Sequence, residues 1–578
     1  MADTTQRKPS WLYGALTGLL ATPALMGIMF LGERAAGMPF VPFDLFNWIA
    51  RVLPGGLITF GIDRMVDTLI FIGLGADLDS AAKTAEQLMA LGIFWLIGIV
   101  ATTAFFAIMN RVNVRAVNNI PGVFYGALFG LPFLLIVQRV NVSATAPVFL
   151  WWVWLGLLFV GFGSIVNWAY DSLAFPLADS TDEDEKTKNA SVEGIDRRQF
   201  MVRLGGATAT LTVVGAGLGA LFGTAQSSGG TPIASTNGDD TGTSAGDGEF
   251  DPTASGDALM PAPGTRQEIT PVENHYRIDI LSGGLPSIPD DYTLPITGLV
   301  ANEVAWSLDE IRAMPSVSEY ITMSCISNRI AGSLISTTKW TGVPMQHILE
   351  QIEPMDEAAA LRITGADDFD EYVSLDLIRN DERIMLCYAW DDAPLPLRNG
   401  YPLRIHIPDR YGMKQPKWIR TIEVVDEEGR GYWVRRGWSA TAIAKATSVI
   451  DTVATDAIYD DENGQHYVPI GGMAWAGDRD IVRVEISIDD GEWQTAQLRP
   501  RLSDRTWVIW RYDWPFEAGA HTFSVRMFEA PDDGQGDPIL QPTNRSGVRP
   551  DGATGIHSLD ERLSESLIES EAEPARES

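Results

Sequence analysis

Four apolar runs, at 11–31, 88–109, 120–140 and 147–168, each have about the length needed to cross a bilayer. A water-soluble globule cannot bury four such stretches in succession, so residues 1–175 are expected to form an all-α transmembrane bundle. A fifth run, 204–223, is built from small residues and is less hydrophobic. Between the first two runs, 53–75 carries Asp63, Arg64 and Asp67 near its middle. Centred charges are costly in lipid, which places that stretch at the interface or partly buried. Arg7 and Lys8 set the N-terminus inside, and Arg111 with Arg115 set the 110–119 loop inside. An even number of spans must separate them, and the first two runs supply it. The next two return the chain to the acidic segment DSTDEDEKTK (179–188).

Residues 176–223 read as an acidic cytoplasmic loop followed by a signal or anchor helix. Asp196-Arg197-Arg198-Gln199-Phe200-Met201-Val202-Arg203, ahead of the mild small-residue run, resembles a twin-arginine export signal placed internally. The alternative is an ordinary positive-inside anchor; either reading puts everything beyond it outside the cytoplasm. All six histidines (275, 347, 406, 466, 521 and 557) lie past the last span. The bundle therefore offers no bis-His haem site, which leaves it anchoring, partner docking or quinone contact.

Composition narrows the remaining half. A formal charge of −32 argues against an exposed nucleic-acid surface, which needs clustered Lys and Arg. Eight lysines against 35 arginines, in an acid-rich chain, resemble the composition of proteins from extreme halophiles. Two cysteines, Cys325 and Cys387, exclude a disulfide scaffold and a four-cysteine metal site.

Residues 224–265 are rich in Gly, Ser, Thr, Asp and Pro and read as a flexible tether. From 266 to 444 an α+β domain is expected, with strands at Tyr276–Leu281, Tyr292–Thr297, Leu361–Thr364, Leu403–Ile407 and Ile419–Val425 and helices at 307–314 and 344–353. Residues 445–550 alternate as about seven short strands (Ile481–Ile488 and His521–Phe528 among them), which indicates an immunoglobulin-like sandwich. An acidic tail, 551–578, holds one short amphipathic piece.

Cys325 ends the strand-like run EYITMSC and opens a polar segment with Asn328 and Arg329, the setting a thiolate needs as ligand or nucleophile. Cys387, in IMLCYAW, reads as core. The cations Arg404, Arg410, Lys414, Lys417 and Arg420 form a local cluster in an otherwise acidic chain, which a solvated basic face would also explain.

Four blocks together carry a specific resemblance: Ser324–Asn328, Trp340–Pro344, Pro394–Arg404 and Tyr411–Ile419. The region from about 270 to 440 resembles the molybdopterin-binding domain of the sulfite oxidase family, which includes a bacterial methionine-sulfoxide reductase. The block around 471–496 is similar to the dimerisation domain that follows it. The resemblance implies molybdenum with a single molybdopterin, Cys325 being the metal's protein thiolate. Tyr276, Arg277, Asn328, Asn399, Arg404, Lys414, Gln415 and Lys417 would line the cofactor, and Arg277 would also meet an anionic substrate. The implied reaction is two-electron oxygen-atom transfer on a small or protein-bound oxoanion or sulfoxide. Electrons would go to or come from an external redox protein or quinone system, in a membrane-embedded protein that forms a homodimer. Three departures weaken the sulfite assignment: Ile330 replaces a second Arg, Val508 stands where a further Arg is expected (with Arg505 and Arg511 close), and Tyr432 is only a neighbour of the family's Tyr position. A cofactor-free membrane-anchored binding or adhesion module stays open as the rival class.

Overall fold

The computed structural model describes residues 8–53, 64, 78–112, 119–174, 205–210, 212–214, 217, 259–531 and 536–569. Arg7, Asp63, Asp67, Arg115, the acidic segment 179–188, the 196–203 motif and most of the 224–265 tether lie outside them. The described residues fall into two compact units.

Among the described residues the first unit holds five helices of twelve residues or more, and residues Ile280–Ser287. They are α1 (Trp11–Ala36), α2 (Val41–Val52), α3 (Leu78–Val112), α4 (Ile120–Val140) and α5 (Val148–Ala174). All but α2 are long and apolar enough to cross a membrane. The fifth apolar run contributes a shorter helix, Gly205–Val214. Gly122, Gly126 and Gly130 recur every four residues along α4, and a Cβ on Gly126 would fall 2.2 Å from the Phe159 carbonyl oxygen of α5. Small residues at that spacing let two backbones touch, as helix pairs in lipid require. Within this unit the Ser282 amide and hydroxyl both donate to Asn47 Oδ1 of α2, at 2.9 and 2.7 Å.

The second unit is built from 259–279 and the chain from Ile288 onward. Its first half contains β1 (Thr293–Gly298), β2 (Val304–Ser307), α6 (Leu308–Arg312), β3 (Val317–Ser324), β4 (Ile335–Pro344), α7 (Met345–Ile352), β5 (Ala360–Gly365), β6 (Asp370–Ser374), α8 (Leu375–Asn380), β7 (Met385–Trp390), β8 (Ala393–Pro394), β9 (Arg404–His406) and β10 (Ile419–Val425). One sheet runs β2-β1-β10-β5-β6, with β1 parallel to β10. The other runs β3-β4-β7-β8, with β9 also on β7. Local sequence explains the helices. Ser307 and Glu310 form a reciprocal capping box on α6. In α7, Met345, Ile348, Leu349 and Ile352 recur at helical spacing and are all buried.

The expected strand Tyr276–Leu281 is irregular instead. Tyr276 donates its amide to the Ser336 hydroxyl, and Arg277 pairs with Asp279 two residues on, so neither a ladder nor an alternating face forms.

The second half is the immunoglobulin-like sandwich: β11 (Thr447–Val453), β12 (Tyr459–Asp460), β13 (His466–Trp475), β14 (Ile481–Ile488), β15 (Gln494–Thr495), β16 (Gln497–Leu498), β17 (Val508–Pro515), β18 (Gly519–Glu529), β19 (Ile539–Leu540) and β20 (His557–Leu563). Its sheets run β11-β13-β17-β16 and β15-β14-β18-β19, with β20 also paired to β18. Strand β20 corrects the sequence reading of a tail from 551. Its residues pair with β18 from Gly519↔Leu563 to Val525↔His557, which buries Leu563. The tether also ends sooner than expected, because Ala262 is buried and Arg499 donates to the Leu259 carbonyl at 2.8 Å.

Candidate active site

Strand β3 delivers Cys325 to the end of its sheet. The loop beyond is closed by three hydrogen bonds: the Asn328 amide to the Cys325 carbonyl (3.0 Å), the Cys325 amide to the Leu334 carbonyl (2.9 Å), and the Leu334 amide to Asn328 Oδ1 (3.0 Å). Asn328 therefore shapes the loop that presents the thiol. Cys325 Sγ lies 3.1 Å from the Ser327 hydroxyl. It packs in one buried cluster with Tyr276, Met323, Trp340, Trp390 and Leu395. Cys387 is fully buried in the same cluster, and burial pushes its thiol up to about 12. It is core, as its sequence context implies.

Beside this cluster lies a buried guanidinium. Arg404, 4% exposed, stands 4.7 Å from the Trp340 ring centre and 5.2 Å from that of Trp390. Its Nη1 donates to the Asn399 carbonyl at 2.9 Å and its Nη2 to Met323 Sδ at 3.1 Å. Burial lowers its pKa to about 10, still far above neutrality. Arg404 also bridges to Lys417 across the turn that Gly400 makes possible. Gly400 has φ +126°, and a Cβ there would fall 2.8 Å from Lys417 Cβ.

Sequence reasoning missed His275. It stacks on Trp390 at 4.2 Å and 30°, a contact between residues 115 positions apart that no local pattern reveals. Its Nδ1 lies 3.1 Å from the Tyr276 carbonyl. That hydrogen bond puts the proton on Nδ1 and leaves Nε2 as an acceptor. Burial first, then Arg404, lowers its pKa to about 3, so the ring is neutral.

The buried polar atoms around this pocket without a hydrogen-bond partner include His275 Nε2, Asn399 Oδ1 and Arg404 Nε, beside the indole N–H groups of Trp340 and Trp390. The histidine nitrogen and the amide oxygen accept, and the guanidinium and indole N–H groups donate. Unpaired buried atoms are costly, and a group that presents N–H donors beside anionic oxygens would satisfy both kinds. A pterin with its phosphate is such a group. Among the described residues no three His, Cys, Asp or Glu side chains stand as a metal cluster. A metal here would have to bring its own ligands and take one thiolate from the protein, and the single thiol at the strand end suits that.

The other candidates are distributed differently. Arg277 Nε donates to Asp279 at 2.6 Å, and Lys417 lies 3.6 Å from the same carboxylate. Burial lowers Lys417 to about 8, with Asp279 acting against it. Lys414 Nζ donates to the buried Glu371 at 2.8 Å. Gln415 is turned to the loop, donating to the Arg410 carbonyl at 2.8 Å while its Oε1 meets His406 Nδ1 at 3.2 Å. The cations do not form one solvated face: Arg404 and Lys414 are buried, Arg410 pairs with Asp409, and only Arg420 is exposed, with Asp368. Arg505 is buried, donating to the Arg383 carbonyl and pairing with Glu319, and Arg511 pairs with Asp513.

A family model described as an oxidoreductase molybdopterin binding domain matches residues 282–433. Another, described as a Mo-co oxidoreductase dimerisation domain, matches 439–532. Mitochondrial sulfite oxidase of Homo sapiens is 27% identical over 316 residues, 46% of this chain and 58% of that protein. A putative protein-methionine-sulfoxide reductase subunit of Azospira oryzae is 30% identical over 149 residues, 26% of this chain and 54% of that protein. A nitrate reductase of Hordeum vulgare is 25% identical over 327 residues, 45% of this chain and 36% of that protein. The chain thus spans little more than half the length of the first two relatives and about a third of the last.

Proposed function

We propose that this chain, whose 282–433 and 439–532 match the molybdopterin-binding and dimerisation domains of the sulfite oxidase family, is a membrane-anchored molybdopterin oxidoreductase of oxygen-atom transfer at sulfur. The observation that carries the reading is the set of unpaired buried atoms, His275 Nε2, Asn399 Oδ1 and Arg404 Nε, beside the strand-end thiol Cys325. When bound, the molybdenum cofactor supplies the redox chemistry: adding one oxygen atom from water to a substrate releases two electrons and two protons, and the reverse reaction consumes them.

The chain's own residues supply attachment, orientation and charge. Cys325 holds the metal as its protein thiolate. Arg404 and Lys417 meet the phosphate, Arg404 with a planar fork and Lys417 with a point charge. Asn399 and His275 accept from the pterin edge, while Tyr276, Met323 and the two tryptophans keep water from the thiol. The catalytic half sits outside the cytoplasm in this reading, supported by the basic residues at 7–8 and 111–115 and the 196–203 motif. An external redox protein or the quinone pool exchanges electrons with it one at a time. The sandwich that follows supports a homodimer.

Sulfite is the first substrate of this reading. A second reading, reduction of a sulfoxide, is favoured by specific contacts. Arg277 is neutralised by Asp279 and Lys414 by Glu371, so little free positive charge faces a small dianion. Half-buried Ile330, Trp433 and Trp438 pack on the apolar cluster that contains Ile326, next to Cys325. The test is steady-state turnover of the loaded full chain with sulfite and a one-electron acceptor, against methionine sulfoxide and a reduced viologen. The larger kcat/KM assigns the direction, and turnover of neither would defeat the proposal of chemistry at sulfur.

A further inference from the structure

The turn after β5 carries Asp367 and Asp368, β6 opens with Asp370 and Glu371, and each of these acids meets a different cation of the 414–435 stretch. Glu371 Oε1 accepts from Lys414 Nζ at 2.8 Å. Asp370 takes Arg435 through both carboxylate oxygens, at 2.9 and 2.5 Å. Asp368 pairs with Arg420 at 3.0 Å, and Asp367 lies beside Lys417. The outermost pair is solvated, whereas Glu371 is 0% exposed. One edge strand thereby ties down two separate turns, 412–414 and 434–436.

The first of those turns rests on the thiol strand. A Cβ on Gly412 would fall 2.9 Å from Tyr276 Oη, 3.5 Å from Met323 Sδ and 3.6 Å from the carbonyl oxygen of Ser324, the residue before Cys325. On the far side Gly431 closes over the acid, where a Cβ would fall 2.2 Å from Glu371 Oε1. The Glu371–Lys414 pair is thus anchored in the turn that packs against the strand leading to Cys325. The sequence hides this link, because 43 residues separate the partners.

Resting on the molybdopterin reading, we propose that Glu371 is a positioning residue: through Lys414 it presses the 412–414 turn against Ser324–Cys325 and so fixes the thiolate's orientation toward molybdenum. Lys414 is committed to that pair and does not hold the cofactor's phosphate. A buried carboxylate suits the role, because removing one partner strands the other's charge in the interior and the turn must move.

The test uses the full chain in detergent, produced in a cofactor-making host, with molybdenum and pterin counted per folded chain after size exclusion. Glu371→Gln and Lys414→Met should both lose molybdenum on dialysis, about 10- to 100-fold faster than wild type, as outer partners of metal ligands do. The molybdenum(V) EPR signal of the metal that remains should shift or broaden in both. The exchange Glu371→Lys with Lys414→Glu should restore retention, and Asp368→Asn, at the solvated pair, should change nothing. If Lys414 instead gripped the phosphate, Glu371→Gln would free it and retention would hold or improve while Lys414→Met alone failed. That asymmetry, or wild-type EPR in both single variants, overturns the proposal. Absence of molybdenum from the wild type would instead overturn the functional reading on which it rests.

Discussion

Replacing Arg404 by Met separates what this residue does for the fold from what it does for the cofactor. In the cofactor-free protein the guanidinium gains two ring contacts, at 4.7 and 5.2 Å, each worth about 0.5–2 kcal/mol. Its hydrogen bond to the Asn399 carbonyl adds about 1.5–3 kcal/mol. Against these stands the burial of a cation whose Nε has no partner, which costs several kcal/mol. The opposing terms are of one size, and Met is an apolar filler suited to a gap beside Met323 and two tryptophans. Cofactor-free Arg404→Met should therefore unfold within about 2 kcal/mol of wild type. In the loaded protein the same change deletes at least one charge-assisted bond to an anionic group. That is a loss of about 1.5–3 kcal/mol, or roughly 10- to 150-fold in cofactor retention. Thermal unfolding of the cofactor-free chain and molybdenum content after dialysis read the two halves separately. Wild-type retention would refute the cofactor role. Destabilisation of the cofactor-free protein by more than about 4 kcal/mol would show instead that Arg404 serves the fold.

Other sites give equally direct outcomes. Burial lowers His275 and His406 to about 3, so between roughly pH 6.5 and 3 the unfolded chain binds protons that the folded chain refuses. Their contribution is complete above about pH 6.5 and is lost as pH falls toward 3, while Asp367, raised to about 6 by burial, acts in the opposite sense. In denaturant titrations at stepped pH, His406→Gln should flatten the acid-side fall in stability, and an unchanged slope would refute this assignment. Gly400→Ala, at φ +126° and 2.8 Å from Lys417 Cβ, should cost about 1–3 kcal/mol in thermal unfolding and lower molybdenum retention. Wild-type values for both would mean that the turn tolerates a side chain.

The sequence discloses the architecture where local rules govern it. The four long apolar helices, the short helices within 307–314 and 344–353 and the strand-end position of Cys325 follow from period, caps and turn residues. What it conceals is long-range. His275 meets Trp390, Glu371 meets Lys414 and Asp370 meets Arg435 across 43 to 115 residues, so a run of acids at 367–371 and a run of bases from 404 onward look unrelated. Tyr276–Leu281 shows the opposite error: its alternating pattern promises a strand, but side-chain bonds from Arg277 and to the Tyr276 amide hold it out of any ladder. Strand β20 reads as a polar tail because it is an edge strand whose faces are mostly polar, with Leu563 its one fully buried residue.

The central claim is that the pocket beside Cys325 holds molybdenum through that thiolate. The most direct measurement is molybdenum per chain, with the molybdenum(V) EPR spectrum, for the full protein from a cofactor-producing host, wild type beside Cys325→Ser. About one metal per wild-type chain is expected. In Cys325→Ser the thiolate signature should disappear even if Arg404 and Asn399 retain part of the cofactor. A folded wild type without molybdenum, from a host that loads a control enzyme, or a Cys325→Ser spectrum identical to wild type, would contradict the account.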